Sequence, residues 1–230
     1  MILLALDTST PRAALAVVST AGILRTATPD PSAKHGRALV PALQALLAEA
    51  GVALKDLDGL VVGLGPGSYT GLRIGLTAAK TLAYALGKPL AGLDSLEIVA
   101  RNAPAASTRI AVISDAQRGD VYAADFTREA PGATPVMVGP TRIVPLDQWA
   151  ASLAEGTYVL GPALAIDRLA EGVPAHAKRP DNPDDYWPEP EGLASLSMEV
   201  WKTGHRDDPF FLEPRYLRKS AAEDQWDKKK

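Results

Sequence analysis

Apolar residues in the first half of the chain form short runs that predict strands and two longer segments with helical spacing. The run ILLAL at residues 2–6 precedes the polar turn DTST, and two further apolar segments flank residues 20–22. This order predicts a buried strand followed by a hairpin. From residue 35 to residue 51 the leucines recur at helical spacing up to a terminal glycine, which predicts a helix with one apolar stripe.

The same rules predict a strand at residues 60–64, a second helix at residues 70–86, and another strand at residues 89–93. Gly87 and Pro89 end that helix. Strands that alternate with helices are typical of an α/β fold.

The order of elements begins again after Pro104. RIAVISDAQRGDVYAADF repeats the layout of the N-terminus, with an apolar strand, an aspartate at its end (Asp7 or Asp115), a polar turn and a second strand. This repeat indicates an internal duplication with lobes at residues 1–104 and 105–230, although strand, turn and strand also recur by chance.

The second half continues with further predicted elements. These are a helix at residues 146–153, a strand at 157–161, a connecting loop at 180–192 and a helix at 192–203.

A glycine-rich segment, GLGPGSYTGLRIG at residues 63–75, joins the predicted strand at residues 60–64 to the predicted helix at residues 70–86. Gly65, Gly67 and Ser68 would place backbone N–H groups at a helix N-terminus, where an anion can bind. Leu72 and Arg73 follow the last glycine of the turn, however, where a phosphate-binding P-loop needs lysine and a hydroxyl residue. The spacing of a dinucleotide-binding fingerprint is also not met. Ser68 or Thr70 is the predicted helix N-cap.

Small residues recur every fourth position along this helix and so form a ridge on one face. They are Gly71, Gly75, Ala79 and Ala83. Such a ridge permits the close approach of another helix. The sequence leaves open whether that helix is the first helix of this chain or part of another protein.

Composition narrows the function classes. The chain has 230 residues, no cysteine and a formal net charge of -3. These values exclude a disulfide framework and argue against a protein that binds nucleic acid through a global positive field. The N-terminal run MILLAL is too short to span a membrane and ends at Asp7, so no membrane span is expected. We expect a soluble cytoplasmic protein.

Several motifs together resemble the bacterial TsaB family, also called YeaZ. They are LALDTST at the N-terminus, GLGPGSYTGLRIG, GLDSLE at residues 92–97, DAQRGDVYAADF, and EPRYLR at residues 213–218. The resemblance runs from one end of the chain to the other. It implies a duplicated actin-like and Hsp70-like α/β fold, with two lobes that each contain a mixed β-sheet flanked by helices.

The resemblance also implies a function without a catalytic site. The family acts with a larger paralogue, TsaD, and a small ATPase, TsaE, to place a threonylcarbamoyl group on N6 of adenosine 37. The modified tRNAs read codons that begin with A, and tRNA is expected to contact this chain only through the complex. No cofactor is expected.

In the family, the dimer surface consists of the first two helices. The resemblance therefore favours the interpretation that the ridge of small residues on the second helix contacts a partner. The implied interface residues are His35, Leu39, Leu43, Leu46, Gly71, Arg73, Gly75, Ala79 and Ala83. Without its paralogue, the chain could form a homodimer through the same helices.

This chain differs from the catalytic paralogue and from nucleotide-binding proteins of the same fold at the positions of their metal and nucleotide sites. The catalytic paralogue carries two metal-ligating histidines four residues apart, and this chain has His35 with Leu39. No metal site is therefore predicted, and a metal peptidase, suggested by older names of the wider family, lacks its chemistry.

The positions that correspond to the phosphate loops of such a fold are degenerate in this chain. They are Asp7, Thr8, Ser9, Gly65, Gly67, Ser68 and Asp115. Gln117 and Pro162 stand where glycines are expected. The alternative function, an independent ATP-dependent phosphotransferase of the same fold, would need these loops intact.

Overall fold

The computed structural model describes residues 1–33 and 35–218. Ten strands and six α-helices lie in these residues. The strands are β1 (Ile2–Asp7), β2 (Ala14–Ser19), β3 (Gly22–Ala27), β4 (Gly59–Gly63), β5 (Leu90–Leu93), β6 (Arg109–Asp115), β7 (Asp120–Thr127), β8 (Val136–Met137), β9 (Arg142–Pro145) and β10 (Tyr158–Leu160). The helices are α1 (His35–Glu49), α2 (Tyr69–Leu86), α3 (Ser95–Ala100), α4 (Leu146–Ser152), α5 (Asp167–Ala170) and α6 (Pro190–Lys202).

The strands form two mixed sheets with the same core arrangement. The first has the order β3-β2-β1-β4-β5, with β1 antiparallel to β2 and parallel to β4. The second has the order β10-β6-β7-β8, with β9 also paired to β7, and β6 is antiparallel to β7 and parallel to β10. The correspondence of β1, β2 and β4 with β6, β7 and β10 confirms the predicted duplicated actin-like α/β class.

Successive side chains of β1 point to opposite faces of the sheet, and helices cover both faces. Leu4 and Leu6 pack on the face that α1 and α2 cover, whereas Leu3 and Ala5 pack on the face covered by α6. A strand covered on both faces carries no polar face, and the uninterrupted run in the sequence reflects this.

Helix α3 joins the two lobes by apolar packing. Leu96 and Val99 lie against the second sheet, while Ile98 packs into the cluster on the first sheet. The lobes therefore share a buried contact at this helix.

The C-terminal part of the chain returns to the first lobe, which differs from the predicted division at residue 104. Leu193, Leu196 and Trp201 of α6 pack against the first sheet, and Asp207 pairs with Leu90 beside β5. Helix α6 also begins at Pro190, inside the predicted loop, because proline is favoured in the first turn of a helix. Of the predicted second lobe, residues 190–207 thus pack with the first.

Candidate functional site

The glycine-rich segment packs around the turn between β1 and β2. A Cβ atom on Gly67 would lie 2.3 Å from the Ser9 carbonyl oxygen, and one on Gly71 would lie 2.1 Å from that of Thr8. Ser68 N–H donates to the Ser9 carbonyl oxygen at 2.7 Å. The glycines are therefore needed for contact between the backbones of two turns of this chain.

The ridge of small residues on α2 is part of the same internal contact. A Cβ atom on Gly75 would lie 2.2 Å from the Thr8 hydroxyl oxygen, and Ala79 and Ala83 lie in the core cluster beneath the helix. The prediction that Gly71, Gly75, Ala79 and Ala83 face a partner is corrected here, because the four residues are buried inside their own lobe. The ridge packs on the β1 turn and in the core cluster of its own lobe.

Ser68 is the N-cap of α2, one of the two caps that the sequence allowed. Its hydroxyl oxygen accepts a hydrogen bond from the Gly71 N–H at 3.2 Å. Gly87 ends the helix in the left-handed conformation with φ of 61°, as the sequence predicts.

An open apolar groove lies on the outer side of α1 and α2, and we call it the docking groove. Its volume is about 650 Å³. It is lined by His35, Gly36, Leu39, Val40, Leu43, Gln44, Leu47, Leu54, Arg73, Ile74, Thr77, Ala78, Thr81 and Leu82. The only permanently charged residue in this lining is Arg73.

The docking groove contains four of the predicted interface residues: His35, Leu39, Leu43 and Arg73. Leu46 does not line it and is buried in the core. The sequence did not single out Val40, which is 58% exposed in the groove, although its apolar side chain beside Leu39 was a usable signal.

His35 is held in place by a backbone contact. Its Nε2 atom lies 2.7 Å from the Thr10 carbonyl oxygen. Within residues 1–33 and 35–218, His, Cys, Asp and Glu side chains form no group of three that could hold a metal ion.

Asp7, at the end of β1, is fully buried. Its carboxylate accepts hydrogen bonds from the Ser9 N–H at 2.9 Å, the Ser9 hydroxyl at 2.6 Å and the Ser95 hydroxyl at 2.5 Å. Burial raises the pKa of Asp7 above its ordinary value of 3.8, and the hydrogen bonds from Ser9 and Ser95 oppose this rise. Asp7 therefore fastens its own turn to α3 from inside the lobe.

A cleft of about 720 Å³ separates the two lobes. Ser9, Gly67 and Ser68 line it from the first lobe, and Asp115 and Gln117 line it from the second. The remaining members of the predicted phosphate-loop set, Asp7, Thr8 and Gly65, are buried behind this surface and do not line it.

The turn between β6 and β7 keeps a backbone shape that favours glycine while carrying side chains. Gln117 and Arg118 have φ of 64° and 58°. Asp115 accepts the Gln117 N–H at 2.8 Å and pairs with Arg168 at 3.3 Å. The side chain of Gln117 consequently occupies space in the cleft that a glycine would leave open.

Comparison with known proteins identifies the family. The sequence profile of the family described as "TsaD: tRNA N6-adenosine threonylcarbamoyltransferase" matches residues 28–148. The tRNA threonylcarbamoyladenosine biosynthesis protein TsaB of Bacillus subtilis is 32% identical over 98% of each chain. The chain belongs to the TsaB family.

Two further relatives agree with this assignment. TsaB of Escherichia coli is 36% identical over 43% of this chain and 44% of its own length. The solved structure of YeaZ from Pseudomonas aeruginosa superposes with a TM-score of 0.81 at 28% identity, covering 94% of this chain and 99% of that chain. The resemblance drawn from the sequence motifs is thereby confirmed.

No helix in the described part of the chain, which leaves out residue 34 and residues 219–230, is long and apolar enough to cross a membrane.

Proposed function

We propose that this chain is a non-catalytic subunit of the machinery that forms N6-threonylcarbamoyladenosine at position 37 of tRNAs reading codons that begin with A. It binds a TsaD-like paralogue, and the two proteins act together with a TsaE-like ATPase. tRNA reaches the chain only within this complex, in the cytoplasm.

The observation that carries this proposal is the docking groove. Leucines 39, 43 and 47 form its floor and belong to the core cluster of the first lobe. Val40 lines the groove from α1, and Ile74 lines it from α2. An apolar surface of this kind is stabilised when a second protein removes it from water.

The cleft supports a role without an active site. Asp7, the carboxylate expected near a nucleotide in such a fold, is buried and bonded to Ser9 and Ser95. Pro162 and Gln117 reduce the room and the free backbone N–H groups that phosphates would require. The alternative, an ATP-dependent phosphotransferase, would need its phosphate and adenine loops intact.

Reconstitution of adenosine modification tests the proposal. The paralogue, the ATPase, threonylcarbamoyl-adenylate and unmodified tRNA are combined with and without this chain, and the modified nucleoside is quantified by mass spectrometry. We expect product only when this chain is present, and the variant Val40→Lys should abolish this activation. Ala45→Lys is the matched control, because Ala45 is exposed on α1 outside the groove. Equal product with and without the chain would overturn the proposal.

When the paralogue is absent, two copies of the chain can cover their grooves by forming a homodimer. The same Val40→Lys variant should then be monomeric in sedimentation experiments.

A further inference from the structure

The C-terminal segment at residues 208–218 runs along α2 in the direction opposite to the helix. Phe210 packs edge-on against Tyr84 with ring centroids 5.9 Å apart, and Lys80 Nζ donates to the Leu212 carbonyl oxygen at 3.1 Å. Further along, the rings of Tyr216 and Tyr69 lie 4.8 Å apart. The segment therefore follows α2 from its C-terminal end to its N-terminal end, where the cleft opens.

At the cleft, the segment is fixed to the first lobe by both backbone and side chain. The Arg215 N–H donates to the Leu64 carbonyl oxygen at 2.8 Å, and the Arg215 guanidinium pairs with Asp94 at 3.0 Å. Asp94 is 1% exposed and caps α3 by accepting the Leu96 N–H at 2.8 Å. The Tyr216 hydroxyl accepts a hydrogen bond from Arg73 Nε at 2.9 Å. The segment thus has a rigid support on the first lobe.

The last described residue crosses to the other lobe. Arg218 pairs with Asp120, the first residue of β7 in the second sheet. Side chains of Arg215, Tyr216 and Arg218 all line the cleft. Two other polar links join the lobes: Asp94 also accepts the Thr141 hydroxyl at 3.1 Å, and Arg12 pairs with Asp184 at 2.6 Å.

We propose that residues 213–218 form a strap that holds the cleft closed, and that the Arg218–Asp120 pair is its latch. Helix α3 joins the lobes through buried apolar side chains, which persist when polar contacts break. The strap instead joins them through an ion pair near solvent, which can open without loss of the core. Release of the latch allows the cleft to widen on the side of the strap, while α3 and the Arg12–Asp184 pair keep the lobes together. This proposal does not depend on the identity of the docking partner.

Distance measurements between the lobes test the strap. The chain has no native cysteine, so Thr70→Cys and Asp167→Cys provide two unique positions for spin labels. Thr70 lines the cleft from the first lobe, and Asp167 follows Ile166, which lines it from the second. Pulsed electron spin resonance on the full chain then reports the width of the cleft.

We expect one narrow distance distribution for the labelled chain and an added population at longer distance for Arg218→Ala. The exchanged pair Asp120→Arg with Arg218→Asp should restore the narrow distribution. Arg142→Ala is the matched control, because Arg142 pairs with Asp125 inside the second lobe at 2.6 Å. An unchanged distribution in Arg218→Ala would overturn the proposal. A broadened distribution that the exchanged pair fails to restore would overturn the assignment of Asp120 as the latch.

Discussion

The Thr8 hydroxyl donates a 2.7 Å hydrogen bond to the Gly71 carbonyl oxygen, which fastens the turn after β1 to the first turn of α2. Both groups are buried, so the bond forms without competition from water. This contact holds the N-terminal end of the small face of α2 against the turn after β1.

The first prediction concerns Gly71. Substitution to alanine places a Cβ atom in the Thr8 backbone and should lower the free energy of unfolding by about 1–3 kcal/mol, although alanine is the better helix former. Urea unfolding measures this difference. Gly36→Ala in α1 is the control, because the added Cβ atom would lie 3.8 Å from Ile74 Cδ1, an ordinary contact distance. The stability of this variant should be unchanged or slightly higher. A Gly71→Ala protein as stable as the parent would contradict the packing of the ridge.

The second prediction concerns the N-cap of α2. Ser68→Ala removes the acceptor for the Gly71 N–H and should cost about 1 kcal/mol of stability. Thr70→Ala, at the other cap position that the sequence allowed, should have little effect. Thermal unfolding of the two variants separates the positions, and a larger loss at Thr70 would show that the cap is misassigned.

The third prediction concerns Asp7 and pH. Because burial raises the pKa of Asp7 above 3.8, the folded chain binds a proton more readily than the unfolded chain. The contribution of Asp7 to the free energy of unfolding is therefore present at low pH and is lost as pH rises from 3.8 through the raised pKa.

Asp7→Asn removes this titration and leaves the other buried carboxyls in place. The unfolding free energy of the variant minus that of the parent should increase across this pH range and then level off. Urea titrations at a series of pH values measure the difference. A difference independent of pH would show that Asp7 does not titrate differently in the folded state.

The fourth prediction separates a subunit from an enzyme. Calorimetric titration of the isolated chain with ATP and Mg²⁺ should give no heat of binding, and incubation should give no hydrolysis. The physical reason is the burial of Asp7 behind the cleft and the side chain of Gln117 within it. Micromolar binding with turnover would favour the phosphotransferase.

The sequence predicts the elements of this fold well because their signals are local. The run at residues 2–6 and the terminal Gly87 each mark an element through neighbouring residues alone. The direction of the small face of α2 was not predictable in this way. The same glycines are needed whether α2 approaches a partner helix or Thr8. Thr8, which makes the contact in this structure, lies 63 positions from Gly71 in the sequence.

Long-range packing also explains the other differences. The apolar stripe of α6 predicts a helix but carries no information on which sheet it covers, and it covers the first. The residues of the C-terminal segment, Arg215, Tyr216 and Arg218, suit an interface equally well within a chain or between chains. The pairing of Arg215 with Asp94 and of Arg218 with Asp120 became evident only in the folded structure.

The proposed function requires that the docking groove bind a TsaD-like paralogue. Titration calorimetry between this chain and the purified paralogue measures it directly, using Val40→Lys and Thr77→Glu in the groove. Ala45→Lys and Ala85→Lys are the controls on the exposed sides of the same two helices. We expect the groove variants to bind at least about tenfold more weakly, since an unpaired charge is costly to bury, and the controls to bind like the parent. Equal affinity for all five proteins, or no binding by the parent chain, would show that the groove is not the docking site for the paralogue.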